Sequence, residues 1–409
     1  MRNQKITYHT LPNSLRLVHR QVQSPVAYIG IMIGAGTRDE MAQEKGMAHF
    51  IEHAVFKGSE HRTARQIIDR LETIGGEINA FTTKEETTFY CAVPTAYTQR
   101  AIELLHDMVC TPAFPAEEIK KELNVIYDEI ESYNDSPSEL IYDDFENLIF
   151  HNHPLENQIL GTKQSIRHFN SKKAKSFISR TYRTSRMVFF VQNSWSSDRV
   201  QKVVEQYWEA TPFLLSPIDR QAPDIMTANQ VTYNKHTHQN HIMLGGRAYH
   251  IGHQQQTALF LLNNILGGGS MNSRLNLLLR EQYGLVYTVE SSYSALSDTG
   301  YWSVYFATEA NETDQCIDLV LQQLKNLKEN TLSATALSQA KKQSIGQLMI
   351  AADNQENSVL SMAKQVLYLN NAPTVQQTAA LIDTVTASQL REVANEVFDT
   401  ANISTLMYL

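Results

Sequence analysis

Apolar residues along this chain follow two spacings, and both halves of the chain show them in the same order. In the first half, VAYIGIMIGAG (26–36) is a nearly continuous apolar run of strand length, which predicts a buried strand. MAHFIEHAVF and TARQIIDRLETIG carry apolar residues at helical spacing, and GEINAFTTKEETTFYCAVP alternates as two strands joined by a turn. In the second half, NHIMLGGRAY predicts a strand, QTALFLLNNILGG a helix and SRLNLLLREQYG its helical continuation. LVYTVESSYSALSDTGYWSVYFATE then predicts two long alternating strands. A helical region closes each half, PAEEIKKELNVIYDEIESYN in the first, and 313–328 with 334–353 in the second. The opening MRNQKITYHTLPNSLRLVHR reads as strand, turn at Pro12-Asn13 and strand, without the apolar segment of a signal peptide.

Strand, helix, helix, hairpin, stated twice, predicts an α+β protein. The expectation is two structurally similar domains, each an antiparallel-rich sheet backed by helices. The stretch ATPFLLSPIDRQAPDI (210–225) has three prolines and no clear period, as a linker does. The expected division is therefore 1–212, a linker over 213–225, and 226–409. At 409 residues the chain is in any case too long for one typical core.

Composition narrows the function classes. Apolar content of 42% with 19% charged residues fits an ordered globular chain rather than a disordered one. A net charge of −8 with no basic stripe argues against nucleic acid as a partner. The most apolar run is too short to span a bilayer, so no membrane partner is expected. Cys91, Cys110 and Cys316 are scattered and odd in number, which points to a reducing compartment and to a cytoplasmic location.

Candidate chemistry centres on HFIEHAVFKG (49–58). On a helix, His49 and His53 fall on one face and can point two imidazoles at one ion, with Glu52 beside that face. Two surface histidines and a solvated glutamate would give the same pattern. A catalytic zinc site also needs a third protein ligand. ELNVIYDEI offers Glu122 and Glu129, seven residues apart and close to two turns, along a stripe flanked by Ile119, Leu123, Ile126 and Ile130. Taken alone, that pair also reads as a solvated helix face.

GMAHFIEHAVFKGSEHRT, IGGEINAFTTKEETTFY, KKELNVIYDEIESYNDSPSEL, HPLENQILGT and LGGGSMNSRLNLLLREQYGLVYTVESSY, in this order, resemble the pitrilysin/insulinase family of zinc peptidases, the inverted zincins. The likeness is greatest to its short, two-domain members, such as the mitochondrial processing peptidase subunits and their bacterial relatives. The resemblance implies that His49, His53 and Glu129, 76 positions after His53, hold one zinc ion per chain. It implies Glu52 as catalytic base and Glu122 as a second carboxylate supporting catalysis near the metal. Asn79 and Ala80 would hold the substrate backbone at a sheet edge, and Arg280 and Tyr287 would steady substrate or transition state. Ala54, Ser59 and Asp128 depart from the family pattern without removing a ligand or the base.

Other histidine and glycine clusters carry less. HTHQNH (His236, His238, His241) lacks a carboxylate partner, HNHP reads as a turn before Pro154, and LGGGS lacks the Lys-Ser/Thr of a phosphate loop. The function implied by the resemblance is a zinc-dependent endopeptidase or oligopeptidase acting on unfolded peptides inside a closed chamber. The alternative is a non-catalytic peptide-binding subunit of a hetero-oligomeric peptidase. Relatives with four such domains on one chain close as a clamshell. A two-domain chain is therefore expected to form a homodimer with composite active sites.

Overall fold

The central strand of the first unit shows why these residues pair as they do. β3 (Val26–Ile33) is apolar at nearly every position and lies in the middle of a sheet covered on both faces. Its neighbours are β1 (Lys5–Thr10), β2 (Arg16–Gln21), β4 (Glu77–Thr82), β5 (Thr87–Pro94) and β6 (Met187–Asn193), in the order β1-β2-β6-β3-β5-β4. β2 and β6 run parallel; the other pairs are antiparallel. The computed structural model describes residues 5–211, 220–224 and 227–409, so most of the linker expected over 213–225 lies outside the described residues.

One face of this sheet shares a core with α1 (Met47–Ala54), α2 (Ala64–Glu72), α3 (Thr98–Cys110) and α4 (Ala116–Asn134), through residues such as Ile29, Phe50, Leu71, Leu104 and Ile126. The opposite face is covered by a helix from late in the chain, Gln355–Leu369. Its Val359, Met362, Ala363 and Val366 pack on Val18, Met32, Val188 and Phe190. Arg16 of β2 donates to the carbonyls of Val366 and Leu367 at 2.8 and 3.0 Å. The last turn of that helix thereby gains partners for carbonyls that the helix itself leaves unbonded, and a cation at its negative end.

A second unit has a five-stranded sheet, ordered β7-β11-β8-β10-β9. Its strands are β7 (Gln230–Tyr233), β8 (Asn240–Ala248), β9 (Val286–Ala295), β10 (Gly300–Thr308) and β11 (Ser404–Tyr408). β7 and β11 are its parallel pair. Strand for strand, β7, β11, β8, β10 and β9 repeat β2, β6, β3, β5 and β4, parallel pair included. The fold is α+β, with two similar halves.

Helices Gln256–Gly267, Thr313–Glu329 and Ala387–Val397 share a core with one face of the second sheet. The other face is covered by α5 (Pro137–Ile149), whose Ile141 and Phe145 pack against Met243, Tyr305 and Leu406. Tyr301 and Tyr408 donate to the α5 carboxylates Glu146 and Asp144 at 2.5 and 2.6 Å. A helix from early in the chain thus completes the second unit, and a late one completes the first. The units comprise Met1–Ser132 with Asn157–Arg220 and Asn354–Ala372, and Tyr133–Glu156 with Gln221–Asp353 and Pro373–Leu409.

Candidate metal centre

The helix that carries the histidines starts abruptly. Gly46 caps α1 in the left-handed region at φ +92°, and Gly161 at φ +69° lies against it. A Cβ on Gly161 would sit 2.6 Å from the Lys45 carbonyl oxygen, and one on Gly46 would sit 2.8 Å from that of Leu160. Only glycine fits both the conformation and the contact. The Gly-Thr of HPLENQILGT therefore supports the histidine helix from below. The buried Glu40 carboxylate accepts the Gly46 and Ala48 N–H groups at 3.0 and 2.9 Å, which satisfies donors the first turn cannot pair internally.

One turn apart on α1, the His49 and His53 rings have centroids 4.6 Å apart, and α4 brings both carboxylates to them. Glu129 Oε1 is 3.7 Å from His49 Nε2, and Oε2 is 3.5 Å from His53 Nε2. One donor atom from each of His49, His53 and Glu129 can be chosen so that all lie within 4.8 Å of one another. Tetrahedral zinc, with bonds of about 2.0–2.2 Å, spaces its donors roughly 3.3–3.6 Å apart, so these residues fit the ion with little movement. Burial, together with the charge of His53, pushes His49 down to about 3, keeping it the neutral imidazole that a metal requires.

Glu52 is next to this set, and burial raises its proton affinity despite a hydrogen bond from Thr82 at the end of β4. Its Oε2 is buried with no hydrogen-bond partner among the described residues, as is His49 Nδ1. Unpartnered buried polar atoms are costly, and Glu52 Oε2, beside the two imidazoles, is one that a bound group would satisfy. Glu122 meets the other ring nitrogen of His53. Its Oε1 lies 2.9 Å from His53 Nδ1, and its Oε2 accepts from Lys57 Nζ at 2.6 Å. Burial raises Glu122, but the His53 and Lys57 hydrogen bonds outweigh it and hold the carboxyl below its ordinary range. Lys57 was not singled out from the sequence, although its position four residues after His53 puts it on the same helical face.

Past the histidines, the chain is tied down by one carboxylate. Asp107 of α3 accepts from Ser59 at 2.6 Å and Arg62 at 2.6 Å, and pairs with His61 at 2.7 Å. GSEHRT is thus a clamp between the histidine helix and α2. Burial alone would raise Asp107, but bonds from Ser59, Arg62, His61 and Thr111 hold it below its ordinary value. A depressed carboxyl stabilises the fold above its unfolded pKa, and that contribution is lost as the pH falls through the folded one. Asp107→Asn is expected to cost on the order of 2–3 kcal/mol near neutral pH, with a smaller difference from the parent in acid. Urea unfolding at two pH values checks both.

Asn79 and Ala80 lie on β4, the edge strand of the first sheet, whose outer side has no strand partner among the described residues. α1 packs against β4, so this open edge runs beside the histidine helix. Arg280 and Tyr287 belong to the second unit. Tyr287 is the second residue of the corresponding edge strand β9, is 81% exposed, and has the Arg280 guanidinium 5.4 Å from its ring centroid. The histidines of HTHQNH are not gathered around a carboxylate among the described residues; His241 hydrogen-bonds and stacks on Tyr305. His153 makes a turn, its Nδ1 accepting from Leu155 N–H and its Nε2 bonding the Gln221 carbonyl.

Fold and site together define a two-unit α+β protein with a candidate His-His-Glu metal centre on a helix beside an open sheet edge. Residues 16–163 match the insulinase family, described as peptidase family M16, and residues 168–344 match the peptidase M16 inactive domain. A Bacillus subtilis protein named as the uncharacterized zinc protease YmxG is 32% identical over 96% of each chain. A Rickettsia bellii protein, likewise named as an uncharacterized zinc protease, is 28% identical over 93% of this chain and 91% of its own. Among solved structures, a protease from Helicobacter pylori aligns with a TM-score of 0.91 at 21% identity, covering 99% of each chain. An M16 inactive-domain protein from Pseudomonas fluorescens aligns equally well at 17% identity, over 99% and 97%. The chain belongs to the insulinase family of peptidases, M16, and is of its short, two-domain type. No helix among the described residues is long and apolar enough to cross a membrane.

Proposed function

We propose that this chain is a cytoplasmic zinc-dependent endopeptidase or oligopeptidase that hydrolyses unfolded peptides. One zinc ion per chain would be held by His49, His53 and Glu129. The observation that carries this reading is the gathering of those donors beside Glu52, a half-buried carboxylate with one buried, unpartnered oxygen. When bound, the ion supplies a Lewis acid that polarises water and the peptide carbonyl.

The chain's own residues do the rest. Glu52 takes the proton of the attacking water as the carbon–oxygen bond forms. It passes that proton to the leaving nitrogen as the carbon–nitrogen bond breaks. Burial suits it to the task, because a raised proton affinity favours holding the proton between the two events. Asn79 and Ala80 on the open edge of β4 bind the substrate as an added strand, which requires an extended chain and so excludes folded proteins. Tyr287 donates a hydrogen bond to the oxygen that gains charge, with Arg280 against its ring. In this reading Arg280 and Tyr287 serve the zinc of a second copy. Two chains form a homodimer around a closed chamber, with composite active sites.

Digesting a defined peptide mixture and reading the cuts by mass spectrometry tests the activity. Metal analysis of the unchelated protein is expected to return about one zinc per chain, and chelation to abolish the cuts until zinc is restored. Cuts that persist after the metal has been stripped would sink the proposal.

A further inference from the structure

We propose that Lys57 is a positioning residue of the metal centre, setting zinc affinity and ligand choice through Glu122 and His53. The inference rests on the zinc reading above. Lys57 ends the short turn Val55–Lys57 that continues α1. Its Nζ is 2.6 Å from Glu122 Oε2, while Glu122 Oε1 is 2.9 Å from His53 Nδ1. Both oxygens of one buried carboxylate are therefore committed, one to a cation and one to an imidazole. The Glu122 side chain is only 7% exposed, so water cannot easily replace either partner.

Two consequences follow from this geometry. With Nδ1–H donating to Glu122, the lone pair of His53 is on Nε2, the nitrogen that faces Glu129. As a metal ligand, His53 is neutral and offers Glu122 a hydrogen bond but no charge. Lys57 is then the one cation touching this carboxylate among the described residues, and a buried carboxylate without one is strongly unfavourable. The second consequence concerns ligand choice. Glu122 and Glu129 are on the same helix and both are within reach of His53. By holding Oε2, Lys57 keeps Glu122 behind the imidazole and leaves Glu129 as the carboxylate that faces the ion.

The test compares Lys57→Met and Lys57→Arg with the parent. Zinc affinity is read by competition with a chromophoric chelator, and ligand geometry from the visible absorption of the cobalt-substituted proteins. Lys57→Met is expected to weaken zinc binding by about 10- to 100-fold and to alter the cobalt spectrum. Lys57→Arg, which keeps a cation, is expected to return affinity to within about threefold of the parent. Zinc-free Lys57→Met should unfold within a few degrees of the zinc-free parent. In a Glu122→Gln background, adding Lys57→Met should change affinity by less than about twofold, since the two residues act through one contact.

A Lys57→Met protein that binds zinc as the parent does, with an unchanged cobalt spectrum, overturns the proposal. Equal losses in the Met and Arg variants, accompanied by a large drop in zinc-free stability, overturn it too and make Lys57 a structural residue only. Zinc binding by the parent separates this result from a failure of the peptidase reading. A parent that binds no zinc removes both, whereas a parent that binds zinc with an indifferent Lys57 removes only this one.

Discussion

Replacing Glu52 by Gln is expected to leave a folded protein that keeps its zinc and its peptide, yet turns over about a thousandfold more slowly. The substitution is nearly isosteric, and none of the three donor atoms grouped around the candidate metal position belongs to Glu52. What it removes is the carboxylate that accepts and returns a proton in the proposed mechanism, and loss of a positioned base costs about 10²–10⁴ in rate. The amide also suits the site sterically, since Thr82 can still donate to its oxygen. Zinc content, peptide affinity and single-turnover rates check the three parts separately. Loss of zinc would make Glu52 a ligand. Retained turnover would reassign the base to another carboxylate, with Glu122 the nearest alternative.

The second large effect is expected from mixing inactive proteins. In the proposed mechanism Tyr287→Phe removes a donor from the developing oxyanion, and it should then cost about 10²–10³ in turnover. If Tyr287 serves the zinc of the other copy, mixed dimers of Glu52→Gln and Tyr287→Phe chains contain one site with both residues intact. Random exchange makes about half of the dimers mixed, so activity should recover to about a quarter of the parent's. Recovery should follow the rate of subunit exchange and disappear on dilution below the dimer dissociation constant. Both variants crippled, exchange demonstrated and no recovery would rule out the shared site. A fully active monomer would do the same.

Much of this architecture can be read from the sequence because it is written in local periods. β3, α1, α2 and the β4–β5 hairpin lie where the apolar spacing predicts them, and β8, the helix Gln256–Gly267 and the β9–β10 hairpin repeat the pattern. What stays hidden is non-local. β6 and β11 pair in parallel with β2 and β7 across about 170 residues each, and no turn chemistry signals such a partner. The segment 276–282 looks helical by spacing but is wound with wider, five-residue hydrogen bonds such as Tyr283 N–H to Leu278 O. The helix Gln355–Leu369 is also legible as a helix, but nothing in its own pattern says which sheet it covers.

For the site, spacing alone brings His49 and His53 to one helix face with Glu52 beside it, and Glu122 and Glu129 to one stripe of another. That the two helices meet depends on tertiary packing, which periodicity does not encode. The division of labour between the carboxylates depends on Lys57, a residue with no signal of its own beyond its place one turn after His53. Asp107 was equally silent. An aspartate in a mostly apolar helix has no visible reason until Ser59, His61 and Arg62 are seen to converge on it.

The exchanged helices have a consequence for how the protein is made. Synthesis runs from the N-terminus at about 5–20 residues per second, and most domains can fold as soon as they emerge. The unit with the histidines cannot, because the back of its sheet stays bare until Gln355–Leu369 leaves the ribosome, close to the end of the 409-residue chain. From the emergence of β6 until that point, Val18, Met32, Val188 and Phe190 form an uncovered apolar surface of the kind that chaperones bind. A nascent chain built this way cannot complete the unit with the histidines before most of its second unit has been synthesised, so premature termination is expected to yield aggregation-prone fragments.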